Sequence, residues 1–307
     1  MTVGIVGYGN LGRSIEKNLI DNPSFSLVAI FSRREVVSPF GTKVENVNNI
    51  LDYVGKIDIL FLCGGSKSDI LRTAFPLAKH FHTIDSFDTH SKIESYRARL
   101  DKQNKENNKC SIISCGWDPG LFSIMRYLIT SICGNAYCFW GKGVSQGHTQ
   151  ALSEIDGIEN AVQFTCPNKS IIKKISSNKI VSFCPEAAHK RVCYVSTNKK
   201  SDKHLINSQI KNMPNYFLGY NTLIHHTTSK RIARLMRNPA HKGVVLSPGE
   251  EMKFSLKLKS NPDFTARVLI AYSKALKHMI LNHNFGAKTV LDIPISWLID
   301  QSINSYI

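Results

Sequence analysis

The sequence predicts an α/β protein: a Rossmann-type, doubly wound parallel sheet followed by a second α+β domain. Three observations predict it. A short apolar run at residues 3–6 leads at once into a glycine-rich turn and then into helical periodicity. Continuous apolar runs of strand length go on alternating with helical stretches as far as Ser114. Past Trp117 the texture changes to isolated or alternating strands, as in a mixed or antiparallel sheet.

Each element follows from its residues. Over residues 10–21, Leu11, Ile15 and Leu19 fall at helical spacing, and Asn22-Pro23 stops the helix. Residues 26–31 form a buried strand, which completes a βαβ unit. Residues 57–62 read as the next strand and 66–80 as a helix, with a short strand at Thr83-Ile84. A polar helix over 91–109 carries Ile93, Tyr96 and Leu100 on one side, and 111–114 is strand-like again. Uninterrupted apolar strands alternating with helices belong to a parallel sheet covered on both faces. In the second half, residues 137–140, 190–195 and 251–258 read as strands, and a helix runs from Asn261 to about residue 283 with Asp263 as its N-cap. A dinucleotide-binding domain is therefore expected over residues 1–117, completed by C-terminal helices in 263–307, with a second domain over 118–262.

Composition narrows the function classes. Hydrophobic residues at 42% and charged residues at 20% describe a globular protein with an ordinary core. No stretch approaches the ~18 apolar residues of a membrane helix, and the N-terminus MTVGIVGYGN has no basic segment ahead of an apolar run. A cytoplasmic enzyme is expected. The eight cysteines form no CxxC pair and the histidines no HExxH, so reduced, mostly buried thiols and no metal are expected. Thirty-nine basic against 23 acidic residues give +16, a balance that raises encounter with a polyanionic cofactor. Basic residues run from end to end of the chain without a stripe interleaved with aromatics, which argues against nucleic acid as partner.

The turn Gly7-Tyr8-Gly9-Asn10-Leu11-Gly12 is a GxGxxG that directly follows a strand and opens a helix. Its first glycine permits the turn, its second lets backbone approach a pyrophosphate, and its third packs helix on strand. The helix start offers unspent N–H groups to phosphate. An NAD site would place an acidic residue about twenty positions further on; this chain has Ser32-Arg33-Arg34 there. A carboxylate would repel a 2′-phosphate, whereas a hydroxyl and two guanidiniums bind it. NADP is the expected cofactor.

Taken together, IVGYGNLGRSIEKNL, IFSRR, LFLCGGS, GWDPG, FWGKGVSQGH, HKR and NPDFTA, in this order over residues 3–275, resemble the meso-diaminopimelate dehydrogenase family. The resemblance implies an NADP-dependent, cytoplasmic homodimer of diaminopimelate and lysine biosynthesis. Such an enzyme interconverts meso-2,6-diaminopimelate with L-2-amino-6-oxopimelate and ammonia, and its second domain binds substrate and forms the dimer. It places cofactor contacts at Tyr8, Gly9, Asn10 and Leu11, at Ser32, Arg33 and Arg34, and at Cys63, Gly64, Gly65 and Ser66. Further contacts fall at Ser86, Phe87 and Asp88, and at Cys115, Gly116, Trp117, Asp118 and Pro119. All follow strands, where ligands of an open parallel sheet bind.

The resemblance also makes Asp88 and Asp118 the catalytic carboxylates at the reacting D-centre, and a positioned carboxylate suits amine deprotonation. Trp140, Gln146 and Gly147 would contact substrate, while Thr165, Arg191, His241 and Asn261 would read its remote end. From the residues alone, Asp118 equally suits a turn ahead of Pro119, Trp140 a core position and Arg191 a surface one. Where the family has Pro-His-Gly-Gly, this chain has Asn-Pro-Ala-His-Lys-Gly. Three other readings stay open: an NADP oxidoreductase acting on another D-amino acid or a hydroxy or keto acid, a non-catalytic NADP-binding regulator, and a nucleic-acid partner. Because a charge-assisted hydrogen bond contributes about 1.5–3 kcal/mol, NADPH should bind at least about tenfold more tightly than NADH. Fluorescence titration measures this, and equal affinities would overturn the assignment of Ser32, Arg33 and Arg34.

Overall fold

A computed structural model describes residues 1–65, 68–179, 182–237 and 241–307, and the side chains of Gln146, Pro185 and Ile303 fall outside that description. The chain divides into two compact units, Met1–Ile124 with Pro262–Ile307, and Met125–Asn261. The first crossing falls inside a helix, a few residues after the expected 117/118.

In chain order the first unit contains β1 (Thr2–Val6), α1 (Asn10–Leu19), β2 (Ser26–Ser32), β3 (Val44–Asn46), β4 (Ile59–Leu62), α2 (Asp69–Leu77), β5 (His82–Asp85), α3 (Ile93–Glu106) and β6 (Cys110–Ile112). Helix α4 (Leu121–Cys133) carries the chain across the boundary. The second unit follows with β7 (Tyr137–Trp140), β8 (Gly143–Val144), α5 (Gln146–Ser153), β9 (Ile158–Pro167), α6 (Lys169–Ser176), β10 (His189–Thr197), α7 (Lys203–Lys211), β11 (Asn221–His226), α8 (Ser229–Met236), β12 (His241–Leu246) and β13 (Lys253–Leu258). Helix α9 (Asn261–Leu281) and β14 (Gly286–Lys288) return to the first unit.

Among the described residues, the seven strands of the first unit lie parallel, in the order β14-β6-β5-β4-β1-β2-β3. Strand side chains alternate between faces, and both faces here are apolar. Val3, Ile5, Ile59 and Phe61 pack with Ile15 and Leu19 of α1 and with Leu269, Ala275, Leu276 and Met279 of α9. On the other face Phe31, Leu60 and Leu62 meet Ile70 and Leu77 of α2 and Tyr96 and Leu100 of α3. The doubly wound sheet is as the sequence predicts.

Two expectations change. The segment after α9 supplies an edge strand, β14, and short 3-10 turns rather than further α-helices. The tripeptide Gly-Ala-Lys is too short to show periodicity, and only its pairing with β6 makes it a strand. Asp263 is not the N-cap: α9 begins at Asn261, and Asp263 sits in its first turn, where a carboxylate favours the helix dipole.

Among the described residues, the second unit has two sheets. Strands β7, β12 and β13 form one antiparallel sheet covered by α6, through Phe139, Ile171, Ile175 and Leu246. The other sheet runs β11-β10-β9-β8 and is mixed, because β11 lies parallel to β10. Leu152 of α5 and Ile206 and Ile210 of α7 pack with Cys193 and Val195 on one of its faces, while Ile232 of α8 packs with Val162 and Phe164 on the other. No helix among the described residues is long and apolar enough to cross a membrane. Leu269, fully buried among β1 and α1 residues, tests the return of α9: Leu269→Ala should cost about 3 kcal/mol in chemical denaturation, and a loss near zero would place α9 outside that core.

Candidate active site

In the first unit the glycine turn is built by contacts that exclude side chains. Gly7 holds φ +94° and donates its N–H to Phe31 O at 2.9 Å. A Cβ on Gly12 would lie 2.2 Å from Gly7 O, so helix and strand approach as closely as backbone permits. A Cβ on Gly9 would meet nothing within 4 Å, and Gly9 caps α1 without any side-chain hydrogen bond. No side-chain cap occupies the start of α1, which leaves it suited to receive phosphate.

A buried carboxylate braces this turn. Glu16 of α1 is fully buried and accepts hydrogen bonds from Tyr8 Oη and Ser38 Oγ. Burial, aided by Glu16, pushes the Tyr8 phenol up to about 12, so it stays a donor. Ser38 Oγ in turn accepts from Phe40 N (3.0 Å) and Thr42 N (3.1 Å). Glu16 thus fastens the phosphate turn to the loop that follows Ser32, Arg33 and Arg34. Within that group Ser32 Oγ accepts from Arg34 N at 3.1 Å, and Arg33 and Arg72 share the Asp69 carboxylate at 3.1 and 2.8 Å. An uncapped helix start, open space beside Gly9 and two exposed guanidiniums at the end of β2 fit an anionic dinucleotide.

The remaining expected cofactor positions line the same carboxyl edge. Cys63 directly follows β4, and burial pushes its thiol upward, away from thiolate chemistry. A Cβ on Gly64 would lie 2.7 Å from Asp69 Cβ, so the strand end is pressed onto α2, and Gly65 continues the loop; Ser66 lies outside the described residues. Ser86, Phe87 and Asp88 follow β5. Cys115, Gly116, Trp117, Asp118 and Pro119 follow β6 as a tight turn in which Gly116 N donates to Pro119 O (3.0 Å), with a cis Asp118–Pro119 bond.

The second unit gathers a different set. Thr165 and Arg191 sit opposite each other on β9 and β10, and Arg191 Nη1 donates to Thr165 Oγ1 at 2.7 Å. Gln163 Nε2 donates to the same hydroxyl at 3.3 Å, and the guanidinium lies 4.1 Å from the Tyr220 ring centroid, a cation–π contact. Helix α5 packs over this face: Ser145 N donates to Gln163 O, and Gln163 N to Thr149 Oγ1. Gly147, in the first turn of α5, has nothing within 4 Å of a would-be Cβ, so its backbone is open to a ligand.

Two histidines flank the cation. His148 shares a hydrogen bond with Ser145 Oγ (2.8 Å) and packs edge-on against Tyr216 and Phe217. His189 Nε2 accepts from Trp140 N (2.9 Å), and its ring stacks on the Trp140 indole at 4.9 Å. Burial first, then the Arg191 charge, lowers both from 6.5 to about 4. Both are neutral at pH 7. Burial also pulls Arg191 down, opposed by Tyr220, yet a guanidinium starts so high that it keeps its charge.

Comparison with known proteins agrees with both units. A family profile, the diaminopimelic acid dehydrogenase C-terminal domain, matches residues 116–260. A meso-diaminopimelate D-dehydrogenase from Ureibacillus thermosphaericus is 40% identical over 312 residues, 98% of this chain and 96% of its own. The chain belongs to the meso-diaminopimelate D-dehydrogenase family. Its Corynebacterium glutamicum member in complex with DAP superposes with a TM-score of 0.92 at 34% identity, covering 99% of this chain and 97% of the other. An engineered D-amino acid dehydrogenase bound to NADP+ superposes with a TM-score of 0.88 at 32% identity, covering 99% and 98%.

Of the residues expected from the family's motifs, the structure joins Thr165 to Arg191 directly and sets Trp140 on His189, while His241 opens β12 and Asn261 opens α9. The side chain of Gln146 falls outside the description. The sequence reading missed Glu16, Asp85, Gln163 and Tyr220. A glutamate on the buried side of α1, next to Ile15, was a legible signal for the first. Tyr220 carried none, because tertiary folding alone brings it to Arg191.

The histidines make a testable case. Their folded pKa lies below the unfolded 6.5, so between pH 6.5 and 4 the unfolded chain binds protons that the folded chain refuses. Stability is full above pH 6.5 and drains as pH falls toward 4, by at most about 3 kcal/mol per histidine. His189→Gln, which keeps an acceptor for Trp140 N, should flatten the melting temperature's decline from pH 6.5 to 5. An unaltered slope would mean that His189 is solvated.

Proposed function

We propose that this protein oxidises meso-2,6-diaminopimelate at its D-centre, using NADP+, to L-2-amino-6-oxopimelate and ammonia, and catalyses the reverse reductive amination. Family membership across nearly the whole chain carries the reading. The uncapped start of α1 with Ser32, Arg33 and Arg34 supports NADP+, and the half-buried Arg191–Thr165 pair supports a substrate with a second amino-acid end.

NADP+, when bound, supplies the hydride acceptor. Asp88 and Asp118, in the loops that follow β5 and β6, hold the reacting ammonium and take the proton it must lose before its lone pair can assist oxidation at Cα. The imine that results takes up water and releases ammonia. Thr165, Arg191, His241 and Asn261 hold the L-configured end, Arg191 binding its carboxylate with a planar pair of donors. Trp140 gives an apolar wall, and Gly147, with Gln146, offers backbone to substrate. The resemblance also implies a homodimer and a cytoplasmic enzyme, and exposed Tyr127, Leu128 and Ile132 of α4 are suited to a second copy.

A second reading, an NADP-dependent dehydrogenase of monocarboxylate D-amino acids, is favoured by the likeness to the engineered D-amino acid dehydrogenase. One experiment separates them. Incubation with NADP+ and meso-diaminopimelate should produce the absorbance of reduced cofactor, and silence despite confirmed NADP+ binding would remove the assignment. Arg191→Ala should lower kcat/KM for diaminopimelate about a hundredfold, the loss of about 3 kcal/mol, with a several-fold smaller effect on D-alanine. Equal losses on both would favour the second reading.

A further inference from the structure

The carboxyl edge of the first sheet holds a buried acid that neither the motifs nor the reaction uses. Asp85, the last residue of β5, is fully buried. Strands β5 and β6 pair only at Thr83–Ser111 and Ile84–Ile112. Beyond that the ladder stops, and Asp85 takes its place. Its carbonyl accepts Cys115 N at 2.8 Å, and its carboxylate Oδ1 accepts both Phe87 N (2.9 Å) and Ser114 N (3.1 Å). Tyr96 Oη of α3 donates to the other oxygen, Oδ2, at 2.6 Å.

We infer that Asp85 is a positioning residue for the reaction: its carboxylate, held by Tyr96, fastens the Ser86–Phe87–Asp88 loop to the turn that carries Asp118. The inference rests on the proposed function for the roles of Asp88 and Asp118, and on the hydrogen bonds for the rest.

One oxygen takes an amide from each loop, so neither loop can shift without breaking a bond to the other. Ser114 needs such a hold, because it keeps φ +55°, a conformation that residues with a Cβ seldom adopt. From Ser114 the constraint runs directly into the turn, where Gly116 N meets Pro119 O and a Cβ on Gly116 would lie 3.8 Å from Ser86 Cβ. Tyr96 is itself fixed, with its ring 4.8 Å from Phe87 and 5.6 Å from Phe75. Burial and the Asp85 charge push its phenol far up, so it remains a donor at any working pH.

The test uses Asp85→Asn, which keeps the shape and one acceptor oxygen, and Tyr96→Phe, which removes only the fixing hydroxyl. The expected phosphate contacts follow β1 and β2, away from Asp85, while the Ser86–Asp88 and Cys115–Pro119 contacts are the ones disturbed, so NADPH affinity should fall no more than about threefold in both variants, less than turnover. Misplaced reacting groups act on turnover: kcat at saturating substrate should fall about tenfold or more in Asp85→Asn and by at least about threefold in Tyr96→Phe. The fluorescence gain of the bound nicotinamide should fall by half or more in Asp85→Asn. Unchanged kcat and fluorescence in a folded Asp85→Asn would overturn the inference, as would a lowered melting temperature with kcat intact. If Asp85→Asn fails to fold, Tyr96→Phe decides by the same readings. A wild-type protein that binds NADPH yet leaves diaminopimelate untouched would sink the proposed function, and the fluorescence reading would still judge Asp85.

Discussion

Backbone meets backbone at Gly12 and Gly7, and the first unit is organised by that contact. With 2.2 Å between a would-be Cβ and the Gly7 oxygen, no side chain of any size is admissible at Gly12. The close approach hands the chain from β1 to α1 within a few residues and leaves the helix start uncapped at the sheet's edge. Because β1 stands between β4 and β2, the loops after all three strands reach that edge together, and β5 and β6 continue it. Glu16 and Asp85 then act as internal braces at two places along the edge, each a buried acid satisfied by hydroxyl or amide donors. A buried carboxylate is costly unless so satisfied, and here the donors belong to the segments that require fixing.

Charge is distributed unequally between the units. Residues 125–261 hold 20 of the 39 basic residues but only seven of the 23 acidic ones, so most of the excess positive charge lies there. Along the linear sequence the lysines look evenly spread, and the imbalance becomes visible only once the unit boundary is known. Inside this basic unit Arg191 is a cation with neutral company, since His148 and His189 do not share the burden at pH 7. A carboxylate arriving there meets a directed, forked donor beside two neutral imidazoles, which favours orientation over mere attraction.

Much of the first unit was legible in the sequence because its signals are local. Apolar runs of strand length, the GxGxxG and the Ser-Arg-Arg at the end of β2 each speak through adjacent residues. The second unit was legible mainly through its likeness to a family: Thr165 and Arg191 are 26 positions apart and meet only through the β9–β10 register. Tyr220, Gln163 and Asp85 escaped because their meaning lies in tertiary partners. Strand β14 escaped for a related reason, being a tripeptide whose identity comes from β6. Helix ends also moved: α3 is shorter than the periodicity of 91–109, its first residues forming a 3-10 turn instead.

The return of α9 and β14 has a bearing on how the molecule comes into being. Strands β1 to β6 leave the ribosome first, yet the apolar face they present waits for Leu269, Leu276 and Met279, and the open side of β6 waits for Gly286–Lys288. Between them the whole of residues 125–261 must be synthesised. Vectorial translation therefore leaves this unit open while residues 125–261 are made, with its hydrophobic sheet in need of shelter until α9 and β14 arrive.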